Sequence, residues 1–149
     1  MITNNSANIR CSNDEKPLDT YDYNTHWAPI IKGSSVAGVG NYSLNSGFYC
    51  MIGQIVLIQC SLIWSSHSGS GDILVSMPFP CDSQLNYAPQ GIVSTVNISL
   101  PPASNPTTLC SIQPAHSVCN IFCSNKHGNN SNVQLSSSGE LRFSIFYLI

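Results

Sequence analysis

Four residues in the series His116, Cys119, Cys123, His127 carry the ligand types of a structural zinc site, in which thiolates and imidazoles close a tetrahedron around the metal. The segment between them, Ser117 to Cys123, is rich in strand formers. On a strand Cys119 and Cys123 share one face, about 13 Å apart, while His116 points to the other. The expectation is therefore no metal, with the two thiols packed in a core strand that runs into a polar loop. A second set, Ser65, Ser66, His67, Ser68 and Asp72, places the residue types of a nucleophile, a base and its orienter in one Gly-rich loop. One flexible loop cannot hold three groups in fixed geometry beside an oxyanion hole, and this one lacks the Lys and following helix of a phosphate cradle. Trp64, His67 and Asp72 are kept as the candidate binding residues there. Paired carboxylates for glycoside hydrolysis have little to draw on, since Asp72, Asp82 and Glu140 are the only acids after residue 22. No catalytic residue and no cofactor is expected. A small glycan-processing or zinc-dependent enzyme is the alternative, which a preformed pocket or a bound metal would favour.

Aromatic side chains offer a different chemistry, because their faces can stack on sugar rings. Tyr21, Tyr23, Trp27, Tyr42, Phe48, Tyr49 and Trp64 form such a set, yet most alternate with other apolar residues and read as core or subunit interface. Trp27, Tyr42, Tyr49, Phe146 and Leu148 are the interface candidates.

Strands must position these groups. From Gln54 to Trp64 the positions Val56, Ile58, Cys60, Leu62 and Trp64 form an unbroken apolar face at period two. The other face, Ile55, Leu57, Gln59, Ser61 and Ile63, is half apolar, so this strand is expected to be covered on both sides. From Gly91 to Leu100 the set Ile92, Val96, Ile98 and Leu100 is expected to face the core of a half-buried antiparallel strand. Leu141, Phe143, Ile145, Tyr147 and Ile149 give another apolar face at the chain's end, with Phe146 and Leu148 on its reverse. Shorter strands are expected at Asn41 to Asn45, Phe48 to Ile52, Asp72 to Ser76, Thr107 to Gln113, Ser117 to Cys123 and Asn132 to Ser136, punctuated by Gly and Pro. Eight to ten strands at this spacing predict an all-β chain with a jelly-roll-like antiparallel β-sandwich.

The composition agrees. Ser and Asn number 24 and 15 among 149 residues, while only 8% are charged, a bias towards turns and exposed strand faces rather than helices. The net charge of −2 supplies no basic surface for nucleic acid and no polybasic patch for lipid, and no apolar run is long enough to span a membrane. Arg10, Asp14, Glu15, Lys16, Asp19 and Asp22 account for the whole net charge. Residues 1–22 therefore read as an extended N-terminal arm that docks on a neighbour, and residues 23–149 as a neutral sandwich body. Seven cysteines without a tight framework are expected to be mostly reduced, which fits folding in a cytosol-like compartment. The four Asn-x-Ser sequons, at Asn4, Asn41, Asn97 and Asn129, are what an Asn- and Ser-rich chain produces by chance.

The order of certain motifs adds a family resemblance. Trp27-Ala28-Pro29 with Gly33, Gly38-Val39-Gly40-Asn41-Tyr42, Gly47 to Val56, Ile63 to Gly71, Met77-Pro78-Phe79 and Leu141 to Tyr147 follow one another over residues 27–149. In this order they resemble the C-terminal trimeric head domain of phage tail fibres and of giant-virus fibre and collagen-like proteins. The resemblance implies a homotrimeric β-sandwich head with a structural or attachment role and no catalysis. Without a collagen or coiled-coil stalk before it, a minor capsid or other virion-surface component is expected, assembled in the host cytoplasm; a bacterial or cell surface is the alternative. The expected partners are further copies of the chain, other virion proteins reached through the arm, and a host glycan or receptor. Nucleic acid and membrane insertion are not expected.

Overall fold

A computed structural model describes residues 21–102 and 106–149. The fold is all-β, with ten strands and no helix among the described residues: β1 (Tyr21–Trp27), β2 (Ile31–Gly33), β3 (Gly40–Ile52), β4 (Ile55–His67), β5 (Ile73–Ser76), β6 (Gln90–Val96), β7 (Thr107–Ile112), β8 (Val118–Ser124), β9 (Asn130–Asn132) and β10 (Gly139–Leu148). They pair antiparallel in the order β1-β3-β4-β10-β6-β7-β8-β5-β2, with β9 on β8. This single sheet twists and curls over itself, so that its two halves face each other as a jelly-roll-like sandwich. One half, β1-β3-β4-β10-β6, passes to the other through the pairing of β6 with β7. The short link Ala28-Pro29-Ile30 between β1 and β2 joins the two outer edges.

The core lies between the halves and is built by the predicted period-two faces. Val56, Ile58, Cys60, Leu62 and Trp64 of β4 and Leu141, Phe143, Ile145 and Tyr147 of β10 are buried against Ile31, Ile73, Val75, Ile112 and Ile121 from the opposite half. β10 is paired on both sides, along its whole length with β4 and over Glu140 to Ser144 with β6. The Tyr147 hydroxyl donates to the Phe79 carbonyl at 2.9 Å, which satisfies its one polar atom inside the core.

Four expectations change. The segment Ser46-Gly47, expected as a break between two strands, runs on inside β3. Trp27 lies flat on Gly47, opposite it in the register, where a Cβ would collide with the indole, so this glycine serves a strand rather than a turn. In β6 the buried face is the reverse of the expected one: Ile92 is 71% exposed, whereas Gly91, Val93 and Thr95 turn inward, with Val93 opposite Phe143 and Thr95 opposite Leu141. Asn97, at φ 57°, breaks the alternation, and only after it does Ile98 reach the core. The outer face of β4 is not covered by any of the described residues, and Ile55 and Leu57 stand exposed on it. The ninth strand falls at Asn130–Asn132, ahead of the expected Asn132 to Ser136. The arm assigned to residues 1–22 lies outside the described residues up to Thr20, while Tyr21 and Asp22 already pair with Ile52 and Met51.

Candidate functional site

The residues singled out for zinc are not brought together. Cys119 and Cys123 are buried in β8, whereas His116 and His127 stand exposed in the loops at its two ends. Burial and a neighbouring Cys110 hold the Cys60 thiol well above its ordinary range, and a thiol hydrogen bond to Cys110, with burial, does the same for Cys119. These thiols are packing groups, kept protonated by their surroundings.

The Ser/His/Asp loop is likewise spent on structure. His67 is buried, with Nδ1 accepting the Gly69 N–H at 2.9 Å and Nε2 lying 3.1 Å from the Ile31 carbonyl, so the ring is held by backbone on both sides. The carboxylate of Asp72 accepts from Asn132 Nδ2 at 2.7 Å and from Gln134 Nε2, and makes no contact with the imidazole. Around them the segments 33–39 and 68–72 are zipped by backbone bonds, among them Ser35 and Val36 N–H to the Ser70 carbonyl and Ser70 N–H to the Val36 carbonyl. Trp64 is a core residue whose indole N–H donates to the Ser136 carbonyl at 3.0 Å.

The interface candidates divide between the two faces. Trp27 packs inward over Gly47. Tyr42 also turns inward, where its hydroxyl accepts the Ile31 N–H at 2.9 Å. Tyr49 meets Phe79 edge to face, with ring centroids 5.0 Å apart. Phe146 and Leu148 are on the outer face, where Phe146 is 67% exposed.

That outer face carries an arrangement the alternation of apolar residues did not reveal. The registers of β3, β4, β10 and β6 place side chains in straight rows across the four strands. At the end near the Gly53 turn the rows are apolar: Ile52, Ile55 and Leu148, then Cys50, Leu57 and Phe146. The next two rows are different. One reads Phe48, Gln59, Ser144, Ile92 and the other Ser46, Ser61, Arg142, Ser94. Together they line an open cleft of about 480 Å³ with Phe48 and Ile92 at its two sides. Phe48 lies beside His26, its cross-strand neighbour on β1, with ring centroids 4.1 Å apart. The side chains of Gln59 and the four serines make no hydrogen bond to another described residue. Arg142 Nη2 lies 2.5 Å from Glu140 Oε1, which leaves the band without an uncompensated charge. The signal available beforehand was the pairing of Gln59 and Ser61 on one strand with Arg142 and Ser144 on another, but it becomes visible only when the register is known.

No protein-family model matches the chain, and neither does any curated protein. Among solved structures it is similar to the crystal structure of the Dettilon tailspike protein (gp208), with a TM-score of 0.64 and 14% sequence identity. The match covers 83% of this chain and 23% of that one. The sandwich therefore has the fold of part of a tailspike protein, and the chain spans about a quarter of the tailspike's length.

Proposed function

We propose that the chain is a non-enzymatic structural or attachment component of a virion surface, a fibre-head-like or minor capsid protein that assembles as a homotrimer. The observation that carries this reading is the shared fold with a tailspike protein over most of the chain. The outer face, which the described residues leave uncovered, supports the assembly. Ile55 and Leu57 are 42% and 44% exposed beside Phe146, a contiguous apolar surface of the kind that soluble monomers avoid and that oligomer interfaces use. The non-enzymatic part of the reading is supported by the local use of the three acids after residue 22: Asp72 is held by two amides, Asp82 caps its own turn through the Gln84 N–H at 2.8 Å, and Glu140 is paired with Arg142. Docking on other virion proteins through the residues that precede β1 belongs to the same reading.

Sedimentation equilibrium of the full chain tests the assembly, with a species three times the 16.1 kDa chain as the expected result. A monomer at micromolar concentration would overturn it. Immunogold labelling of purified particles tests the location, and labelling confined to the interior of infected cells would count against a virion-surface role.

A further inference from the structure

The outer face is apolar on both sides of the cleft. Beyond the row of Arg142 the registers add a fifth row, Leu44, Ile63, Glu140 and Val96, with Leu44 and Val96 exposed. From there to the row of Ile55 the face runs about 27 Å along the strands, at about 3.4 Å per residue, and about 20 Å across its four strands with their side chains. This footprint is on the order of 500 Å², and the side chains roughen it towards the roughly 800 Å² of accessible surface that each partner gives to a stable interface. Covering it takes a surface of protein size.

The same face holds a projection and a recess. Phe146 is 67% exposed, and no other Phe or Trp among the described residues stands out as far. The cleft in the next rows is lined mainly by apolar surface, with serines on its floor and Phe48 and Ile92 at its sides. A ring of three copies joins unlike surfaces, so each copy has to offer both a projection and a recess that receives it. Here the two stand one row apart. Charge permits the contact, since Glu140 and Arg142 bring one charge of each sign and the face does not repel its own copies. The polar groups of the cleft can be paired within their rows on covering: Ser61 and Ser94 stand on either side of Arg142, which keeps free N–H donors beside Glu140, and Ser144 stands beside Gln59.

We infer that the whole face, cleft included, is a contact between copies of this chain, and that Phe146 of one copy seats in the cleft of the next, between Phe48 and Ile92. The inference rests on the homotrimer proposed above and names the contact that closes it. Cys50 and Leu57, in the row of Phe146, are covered in the same contact.

The test is photocrosslinking of the full chain carrying Phe146→p-benzoylphenylalanine, with the crosslinked pairs of chains separated by denaturing electrophoresis and mapped by mass spectrometry. The crosslinks should fall in the cleft, at Phe48, Ser61, Ser144 or Ile92. Sedimentation of two further variants checks the fit from both sides. Phe146→Ala removes the projection and Ser61→Phe fills the recess. Each should raise the concentration for half-assembly at least tenfold while the circular dichroism stays that of the parent chain. Val39→Ser, on an exposed side chain of the loop before β3, should change that concentration less than twofold. Crosslinks between chains confined to residues outside the cleft overturn the seat, and so does unchanged assembly of Ser61→Phe. A trimer with either result refutes the seat and leaves the assembly standing, whereas a monomer refutes the assembly and the seat with it. A two-chain species that crosslinks in the cleft refutes the three-fold closure and leaves the seat standing. Crosslinks formed only in purified particles, and to a protein other than this chain, overturn the second copy as the occupant.

Discussion

Both faces of β4 and β10 carry large apolar side chains, and these meet opposite fates. Inward, Leu62, Leu141 and Ile145 are removed from water between the two halves of the curled sheet. Outward, Ile55, Leu57 and Phe146 remain substantially exposed on the same strands. Hydrophobicity alone does not decide burial; it decides what burial is worth once the sheet has curled in one direction. The inner set therefore reports on folding, and the outer set reports on what the folded chain meets.

Phe143→Ala should show the largest effect on the inner side. It removes a buried ring at the centre of β10, opposite Cys60 and Val93, and a loss of about 3–5 kcal/mol is expected in chemical denaturation. A loss below about 1 kcal/mol would mean that the core does not centre on this strand.

Alkaline titration probes the same interior without mutation. Burial, first among the causes for Cys60 and Tyr147, and the Cys110 hydrogen bond for Cys119 all hold these groups protonated above their ordinary values of 9.0 for a thiol and 10.0 for a phenol. The folded chain therefore keeps protons that the unfolded chain has released. Stability from these groups is full below pH 9 and falls as the pH rises beyond it. Thermal melts should show a declining midpoint above pH 9, and Cys60→Ser should flatten part of that decline. A midpoint that does not fall between pH 9 and 10.5 would show that these thiols are not sheltered.

His67→Ala should have a smaller and more local effect. Without the ring, the Gly69 N–H loses its acceptor and the Ile31 carbonyl its neighbour, at a cost of about 1–3 kcal/mol. Amide exchange should accelerate in segments 33–39 and 68–72 and stay slow in β10. Uniform acceleration along the chain would show that the loop zipper is part of the global fold.

The outer face should give the smallest effects on folding. Phe146→Ser should shift the sedimenting species towards monomer while leaving the secondary structure intact. Arg142→Ala, which breaks an exposed ion pair, should change the stability by about 0–1 kcal/mol. If Phe146→Ser leaves the oligomer whole, the apolar rows are not the contact, and the contrast between the two faces loses its functional meaning.

The strands of the core were legible because period-two alternation is a local property, and in β4 and β10 it runs for nine or more residues without interruption. β6 was legible as a strand but not in its facing, because Ile92 and Val93 are both apolar and only pairing with β10 decides which points inward. β1 does alternate, Tyr21, Tyr23 and Trp27 against Asp22, Asn24 and His26, but was not expected as a strand, and the three residues of β2 are too few to show a period; β3 supplies the partners of Tyr21–Trp27. Most of the aromatics were read as core or subunit interface, and Trp64 was placed on the apolar face where it is found; what alternation could not tell was that Tyr42, an interface candidate, turns inward, where its hydroxyl accepts a backbone N–H.

The sequence by itself determined the all-β class, the core faces of β4 and β10, and the burial of Cys60 and Cys119, since each follows from side-chain type and alternation along one strand. The tertiary structure alone decided that Phe48, Gln59, Ser144 and Ile92 stand in one row, because these residues are far apart along the chain and meet only through the registers of three strand pairings. A register is a relation between strands, and a one-residue slip in any of the three would send its side chains to the opposite face.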